Sequence, residues 1–387
     1  MSACSTLDIV YFVNPRETHP PLRSERYVAD ALVGGFRGEV NVCICEREPA
    51  ASQDSLWQRY LRPASGLLRM HDYACYAGVA QRQAVEGMLR HRPNVVMAEG
   101  LQGMIPLMLT KMPLPPVFFE FDDVEHVVFA RSILHPPVWR QKYLTYLQIP
   151  ALLWGEARAI RVACKVMVCS ELDRRSLQRM FATRKVAVLE NAITLPKAPA
   201  PSESARTLLF VGSYEYPPNR LAAEFMLDSV WPLIRAAEPD ARLILAGPNP
   251  ERIRHHGTAP DGVSIPGFVD DLDSLYASAA VVVCPIRSGG GTRIKLIEAA
   301  GYGKPIVSTI IGAEGLEFAD GTEILLRDAP ADFAAACVAL LRDPPKAQLL
   351  GARARTTALR RFDRAVVVER LRGWLVTQAQ QSMLREA

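Results

Sequence analysis

Short apolar runs rich in β-branched residues alternate with longer stretches of helical periodicity along the whole of this 387-residue chain. The predicted strands are 8–13, 40–45, 94–99, 116–121, 165–170 and 185–190, followed by 207–212, 242–247, 263–265, 280–285, 305–309 and 323–326. Helices are predicted between them, near 24–35, 73–91, 137–162, 171–180, 219–238, 271–279, 293–302, 330–342 and 345–361. This alternation is typical of βαβ units and parallel sheets, so the predicted fold class is α/β.

A stretch rich in Pro, Ala and Ser interrupts the alternation at 196–206, as an interdomain linker would. The sequence therefore predicts two doubly wound, Rossmann-like domains, 1–195 and 207–364, which face each other across a central cleft. Residues 365–387 follow the last core element. We predict a helix there and expect it to pack back on the first domain.

Charge and composition exclude several classes of protein. The net charge is +4, from 45 basic and 41 acidic residues, which is too balanced for a nucleic-acid-binding protein. The eight cysteines include no C-x-x-C pair, so we expect reduced thiols rather than a zinc site. The sequence has neither a secretory leader pattern nor an apolar run of the roughly 18 residues that a membrane helix needs. We expect a cytoplasmic protein, and local basic clusters leave peripheral association with the inner face of the membrane open.

A glycine-rich stretch, CPIRSGGGTRIKLIEAAGYGKP at 284–305, is the strongest functional signal. Its spacing matches neither the P-loop nor the dinucleotide motif G-x-G-x-x-G, so neither an ATPase nor a Rossmann dehydrogenase is supported. It still follows a buried strand and opens a helix, which favours an anion at the helix N-terminus. Thr292 can cap that helix, and Arg293 and Lys295 add positive charge to its first turn. Glu298 can accept hydrogen bonds from sugar hydroxyls, and diphosphate plus ribose describes a nucleotide-sugar.

With these motifs the chain resembles the nucleotide-sugar-dependent glycosyltransferases of the GT-B fold, in particular glycosyltransferase family 4, or group 1, of bacterial polysaccharide synthesis. The matching segments are 208–250 and 265–316, with VMVCSELDRRSLQRM and VLENAITLP upstream of them. The resemblance implies that the second domain binds the donor. The donor-site residues that it implies or places nearby are Gly212, Ser213, Asn219, Gly289, Gly290, Gly291, Thr292, Arg293, Lys295 and Glu298.

Within that site the resemblance implies that Glu298 binds the nucleotide ribose and that the glycine loop lies beneath the sugar and phosphates. Gly290 departs from the family, because many relatives have a glutamate there, near the donor sugar. Ser213 and Asn219 also stand in the segment where many relatives have an arginine and a lysine for the diphosphate. We therefore expect Arg293 and Lys295 to neutralise the diphosphate instead.

In the first domain, polar residues follow the predicted strand 116–121. Asp122 is the nearest match to a family histidine beside the reacting sugar, so a catalytic role is expected, either orienting the acceptor hydroxyl or acting as a general base. Asp123 and His126 are expected on the acceptor side. The alternative is that these residues cap the next helix and meet Arg131 on the surface.

Two other positions complete the expected catalytic and acceptor side. Glu99 ends the strand 94–99 and is a second candidate catalytic residue, and Arg16 lies in the loop 14–26, which we expect to close on the acceptor. No metal is predicted. Asp271 and Asp273 form a D-x-D pair, but they open a predicted helix, where acidic side chains stabilise the N-terminus.

The predicted function is transfer of a glycosyl group from a nucleoside-diphosphate sugar to a hydroxyl of a glycan or lipid-linked acceptor, in bacterial surface or exopolysaccharide synthesis. The resemblance implies retention at the anomeric carbon, without metal and with no cofactor beyond the nucleotide-sugar co-substrate. Two alternatives stay open at this point. One is a nucleotide-sugar epimerase or hydrolase of the same fold, and the other is a catalytically weak nucleotide-sugar-binding partner protein.

Overall fold

The computed structural model describes residues 6–13, 39–46, 78–121, 123–133, 149–199, 206–254 and 256–386. The chain divides into two compact units. The N-terminal unit comprises Met1–Val188 with Leu371–Ala387, and the C-terminal unit comprises Leu189–Arg370.

The division falls a few residues before the linker predicted at 196–206. Ile193 donates its backbone N–H to the carbonyl of Phe362, at 3.1 Å, and accepts from the N–H of Arg364, at 2.9 Å. Arg355 Nη2 also donates to the carbonyl of Pro196, at 2.8 Å. These bonds attach the segment from 189 onward to the C-terminal unit, because its backbone partners lie there.

The described strands of the N-terminal unit form two parallel sheets. The first pairs β1 (Thr6–Val13) with β2 (Glu39–Glu46), and the second has the order β3-β4-β5-β6. The strands of the second sheet are Val96–Glu99, Val117–Phe121, Lys165–Val168 and Val186–Val188. The β4 sequence VFFEF is almost wholly buried, as expected of an inner parallel strand covered on both faces.

Five described helices connect or cover these strands: α1 (Val79–Leu89), α2 (Gly100–Leu109), α3 (Glu125–Ile133), α4 (Ile149–Val162) and α5 (Glu171–Phe181). The sequence did not predict α2 or α3. The α2 sequence GLQGMIPLML is apolar around most of its circumference and contains Pro106, so it has no amphipathic period to recognise. The predicted helix 24–35 lies outside the described residues.

The C-terminal unit is built on a six-stranded parallel sheet in the order β12-β11-β10-β7-β8-β9. Its strands are β7 (Thr207–Val211), β8 (Arg242–Ala246), β9 (Val263–Gly267), β10 (Val281–Cys284), β11 (Ile306–Ser308) and β12 (Leu325–Leu326). The chain builds β8 and β9 on one side of β7 and then returns to place β10 on the other. Ligands of open α/β sheets bind at the carboxyl ends of strands at such a switch point, here between β7 and β10.

The helices of this unit are α6 (Pro217–Phe225), α7 (Trp231–Ala237), α8 (Leu272–Ala277), α9 (Ile294–Gly301), α10 (Pro330–Arg342) and α11 (Pro344–Arg361). A π-helical turn, Met226–Val230, separates α6 from α7. The sequence predicted a single helix over 219–238. The interruption precedes Pro232, which has no backbone N–H and cannot continue the α-helical hydrogen-bond ladder.

The last helix, α12 (Arg364–Glu386), begins in the C-terminal unit. Its residues from Leu371 onward group with the N-terminal unit, where Lys165 Nζ lies 4.6 Å from the centre of the Trp374 ring. Among the described helices, none combines the length and apolar character needed to cross a bilayer.

Candidate functional site

The carboxyl ends of β7 and β8 approach each other closely beside the switch point. Gly212 donates its backbone N–H to the carbonyl of Ala246, at 2.9 Å. Gly247 has φ +140°, and a Cβ at that position would lie 2.0 Å from the carbonyl oxygen of Gly212. Only glycine fits at position 247, and its backbone lies directly against that of Gly212.

The Lys295 side chain extends over the ends of β7 and β8 from the first turn of α9. Its Nζ donates to Asn219 Oδ1 at 2.6 Å and lies 4.5 Å from the centre of the Phe210 ring. Asn219 in turn donates from Nδ2 to the carbonyl of Ser213, at 2.9 Å. A Cβ at Gly212 would lie 2.7 Å from Lys295 Nζ, so the glycine leaves the space that the ammonium group uses.

The pKa of Lys295 is lowered to about 8, chiefly by burial and also by the positive charge of Arg293. The neighbouring Cys284 and Glu298 act in the opposite direction. Lys295 is thus a partly buried cation at the switch point whose charge is costly unless an anion compensates it. The role of Lys295 at the diphosphate stays a prediction.

Arg293 bonds to the backbone of the glycine loop. Its guanidinium is buried and turned into the glycine loop, where Nη1 donates to the carbonyls of Gly290 and Gly291 and Nη2 donates to the carbonyl of Ser288, at 3.3 Å. Nε is buried and has no hydrogen-bond partner among the described residues. Arg293 therefore stabilises the loop through three of its backbone carbonyls, and the expected contact of Arg293 with the diphosphate stays a prediction.

The conformation of the loop requires glycine at two positions. Gly289 has φ +98° and Gly291 has φ +67°, both in the region that glycine favours. A Cβ at Gly289 would also lie 3.0 Å from the hydroxyl of Tyr216 and 3.2 Å from Pro218 Cγ. Gly290 is not among the described residues with positive φ, so its backbone does not demand glycine.

Thr292 is not the cap of the helix, as the sequence predicted. The helix begins at Ile294 with Arg293 as the N-cap residue, and no side chain caps it. The Thr292 hydroxyl instead accepts a hydrogen bond from Asn191 Nδ2, at 2.7 Å. Asn191 was not among the predicted site residues, and its only signal was its place in the motif VLENAITLP at the entry to the C-terminal unit.

Asn191 lies in a segment that is itself firmly held. The neighbouring Glu190 is buried and accepts from Arg370 Nη1, and its other oxygen lies 3.7 Å from Arg361 Nε. The start of the C-terminal unit is therefore fixed to its last helices on one side and to the glycine loop on the other.

Glu298 lies one turn after Lys295 on α9, and residues at this spacing share a face of the helix. Its Oε2 accepts a hydrogen bond from the hydroxyl of Tyr276, at 3.1 Å. Burial raises the pKa of Glu298, while the Tyr276 hydrogen bond and the charge of Lys295 lower it. Tyr276 was also missed by the sequence analysis, since a tyrosine in an amphipathic helix is ordinarily a core residue.

The two acids of the D-x-D pair have other partners in the structure. Asp271 is the N-cap of α8 and accepts from the backbone N–H of Ser274, at 3.0 Å. Asp273 accepts from the hydroxyl of Tyr302, at 2.7 Å. Helix capping and this side-chain bond account for both acids, in agreement with the helix N-terminus predicted for them.

Only some of the candidate residues of the N-terminal unit lie among the residues that the structure describes. Arg16 and Asp122 lie outside the described residues. Glu99 ends β3 and is exposed, and α2 begins immediately after it at Gly100, which has φ +60°. Asp123 is partly buried just before α3.

The His126 side chain is buried and bonded to Glu156. Only 5% of the residue is exposed, and its Nδ1 lies 2.5 Å from Glu156 Oε2. The other oxygen of Glu156 accepts the backbone N–H of His126, at 3.1 Å. His126 thus joins α3 to α4 through Glu156, 30 residues away, and its place on the acceptor side stays a prediction.

Comparison with solved structures defines the class to which this geometry belongs. Sucrose-phosphate synthase of Thermosynechococcus elongatus covers 98% of this chain and 100% of its own, with a TM-score of 0.64 and 16% identity. Anabaena HepE in complex with UDP-glucose covers 98% and 100%, with a TM-score of 0.60 and 15% identity. TarM matches with a TM-score of 0.61 and 12% identity, over 76% of this chain and 58% of TarM. The fold is therefore GT-B, with two Rossmann-like domains, and the predicted fold class is confirmed.

The family match is specific to the C-terminal unit. Residues 205–343 match the family described as Glycosyl transferases group 1. A Klebsiella pneumoniae protein described as an uncharacterized 44.6 kDa protein in the cps region is 26% identical over 136 residues. That match spans 33% of this chain and 35% of the Klebsiella protein. The predicted resemblance is confirmed, and the family match supports glycosyltransferase as the enzyme class.

Proposed function

We propose that this protein transfers a glycosyl group from a nucleoside-diphosphate sugar to a hydroxyl of a glycan or lipid-linked acceptor. One observation carries the proposal: Lys295 and Glu298 lie one turn apart on α9, at the switch point of the C-terminal sheet. A cation and a carboxylate at this spacing match the diphosphate and the ribose of such a donor. Because residues 289–291 are all glycine, no side chain separates the backbone of this loop from a ligand bound there.

The chemistry that these residues support is departure of the nucleoside diphosphate. The bond between the anomeric carbon and the diphosphate oxygen breaks, and a bond to the acceptor oxygen forms. The proton of the acceptor hydroxyl passes to a general base, for which Asp122 is the candidate. Negative charge grows on the leaving diphosphate, and the Lys295 ammonium and the N-terminus of α9 are placed to stabilise it. With this compensation the reaction requires no metal, and the family resemblance favours retention at the anomeric carbon.

The wider role that we propose is synthesis of a bacterial surface polysaccharide or exopolysaccharide. Its support is the partial match to the Klebsiella cps-region protein. A lipid-linked acceptor would require peripheral association with the inner face of the membrane, and the exposed Arg175 and Arg179 of α5 are suited to anionic lipid.

Donor turnover in the presence and absence of acceptors tests the function. UDP is the probe of choice, since HepE was solved with UDP-glucose and a TarM mutant with UDP. We expect UDP release from a UDP-sugar to depend on an added glycan or lipid-linked acceptor. Turnover without any acceptor would favour the epimerase or hydrolase, and UDP binding without turnover across acceptors would favour the binding partner.

Lys295→Met is expected to weaken UDP binding by roughly 20-fold, because it removes a charge-assisted hydrogen bond to the diphosphate. The pKa of about 8 adds a pH signature. The ammonium is charged below that pH, so wild-type affinity should fall about tenfold per pH unit above it, until the contribution of the charge is lost. Isothermal titration calorimetry between pH 7 and pH 10 measures both effects.

The matched control is Lys346→Met, which removes an exposed lysine of α11 and should leave both the affinity and its pH profile unchanged. If Lys295→Met binds UDP as tightly as wild type, or loses UDP affinity at high pH as wild type does, Lys295 does not contact the diphosphate.

Asp122→Asn is expected to lower the rate of glycosyl transfer roughly tenfold while UDP binding stays within twofold of wild type. The reason is that a carboxylate orients the acceptor hydroxyl better than an amide does, whereas the donor is bound by the C-terminal unit. Steady-state transfer rates and UDP calorimetry on the same preparations separate the two steps. Wild-type turnover by the variant would remove Asp122 from the chemistry.

A further inference from the structure

Tyr276 carries its hydroxyl group in the core of the C-terminal unit. The residue is 0% exposed, and its ring packs among the apolar residues that lie beneath the sheet. A phenylalanine would fill the same volume without requiring a hydrogen-bond partner for its ring. A buried tyrosine hydroxyl needs such a partner, and for Tyr276 the nearest is Oε2 of Glu298, at 3.1 Å.

The ring of Tyr276 is held in place by a second tyrosine. Tyr302 stacks on it with the ring centroids 4.3 Å apart and the planes inclined by 17°. The hydroxyl of Tyr302 turns away and donates to Asp273, at 2.7 Å. The stack therefore contains two hydroxyls with different partners, and only that of Tyr276 bonds to Glu298.

Glu298 is left with one oxygen for a ligand. The hydrogen bond from Tyr276 occupies Oε2, and Oε1 accepts no hydrogen bond from the residues that the structure describes. Because the side chain has several rotamers of similar energy, a bond to a rigidly packed hydroxyl selects one of them. The selected rotamer keeps Oε1 on the helix face that also carries Lys295.

We propose that Tyr276 is the positioning residue of the ribose site, and that its hydroxyl orients the Glu298 carboxylate toward the ribose hydroxyls of the donor. The proposal rests on the proposed function, since it takes the ligand of Glu298 to be that ribose. Tyr276 does not touch the donor. It acts through Glu298, because its hydroxyl lies 3.1 Å from Glu298 Oε2 and farther, 3.5 Å, from its second acceptor, the backbone carbonyl of Lys295.

The electrostatics around Glu298 agree with this geometry. Burial raises the pKa of Glu298, and the Tyr276 hydrogen bond is the largest effect that lowers it, followed by the charge of Lys295. The other titratable groups near this cluster are Tyr302, Asp273, Asp271 and the buried Cys284, and burial raises the pKa of both Tyr302 and Cys284. Removing the Tyr276 hydroxyl should therefore raise the pKa of Glu298, so that the carboxylate is protonated at a higher pH.

The test compares UDP with 2′,3′-dideoxy-UDP, which lacks the ribose hydroxyls, by calorimetry on wild type, Tyr276→Phe and Tyr302→Phe. Wild type should bind UDP at least roughly tenfold tighter than the dideoxy ligand. Tyr276→Phe should bind UDP about fivefold more weakly than wild type and the dideoxy ligand within about twofold of wild type. Tyr302→Phe, which removes the other hydroxyl of the same stack, should bind both ligands within about twofold of wild type.

The second measurement is the acid limb of the UDP affinity profile, which is the pH range where affinity falls as Glu298 becomes protonated. It should move to higher pH in Tyr276→Phe, while the titration of the UDP phosphates is common to both proteins and cancels in the comparison. If wild type does not discriminate between the ligands, the ribose assignment of the proposed function fails. If wild type discriminates and Tyr276→Phe does so equally, or if Tyr276→Phe weakens both ligands to the same extent, the role of Tyr276 is overturned.

Discussion

Glu298→Ala is expected to weaken UDP binding by roughly 100-fold. A carboxylate that accepts hydrogen bonds from ribose hydroxyls contributes about 1.5 kcal/mol for each, and two such bonds correspond to about two orders of magnitude in Kd. The partial burial of Glu298 strengthens both bonds, because water competes less there. Isothermal titration calorimetry with UDP at pH 7.5 measures the loss.

Two companion variants make the Glu298 result specific. Glu298→Gln keeps an acceptor for the Tyr276 hydroxyl and is expected to lose less affinity than the alanine variant. Glu251→Ala removes an exposed glutamate of the same unit and should bind UDP as wild type does. Unchanged affinity in Glu298→Ala, with the fold intact by circular dichroism, would exclude Glu298 from the ribose site.

Glu156→Ala is expected to have the largest effect on stability, about 3 kcal/mol. The Glu156 side chain is 0% exposed and accepts two hydrogen bonds from His126, one from the backbone N–H and one at the ring. Its removal leaves both groups buried without a partner and opens a cavity between α3 and α4. The urea midpoint for unfolding of the N-terminal unit should fall, and amide hydrogen exchange in α3 and α4 should become faster.

The control for Glu156 is Glu39→Ala, because Glu39 is an exposed glutamate at the start of β2 in the same unit. Its effect should stay within about 0.5 kcal/mol. Equal urea midpoints for Glu156→Ala and Glu39→Ala would mean that the bonds between His126 and Glu156 contribute nothing to the packing of α3 on α4.

The parts of the fold that could be predicted are those with a strong local pattern. The continuous apolar strands, such as 207–211 and 281–284, lie where they were expected. Helices α2 and α3 were missed: α2 lacks an amphipathic period, and the sequence of α3 was taken for a polar strand end. The split of 219–238 at a π-helical turn was also missed, although Pro232 marks the place.

In the candidate site, the residue types were predictable but their partners were not. Lys295 meets Asn219 across 76 residues, and Thr292 meets Asn191 across 101 residues. No periodicity within either segment carries information about such a pair. The assignment of Thr292 to the helix cap was wrong for this reason, since it rested on neighbours in the chain alone. The assignment of Arg293 to the diphosphate stays a prediction.

The sequence by itself determined the α/β class, the group 1 resemblance and the glycine loop that leads into the helix of Lys295 and Glu298. These depend on composition and spacing over a few residues, which local backbone preferences translate directly into structure. Only the tertiary structure decided which way the polar side chains turn: Arg293 toward the loop carbonyls, His126 toward Glu156 and Tyr276 toward Glu298. A buried polar group takes whichever partner the packed elements bring within about 3 Å, and that choice exists only once the chain has folded.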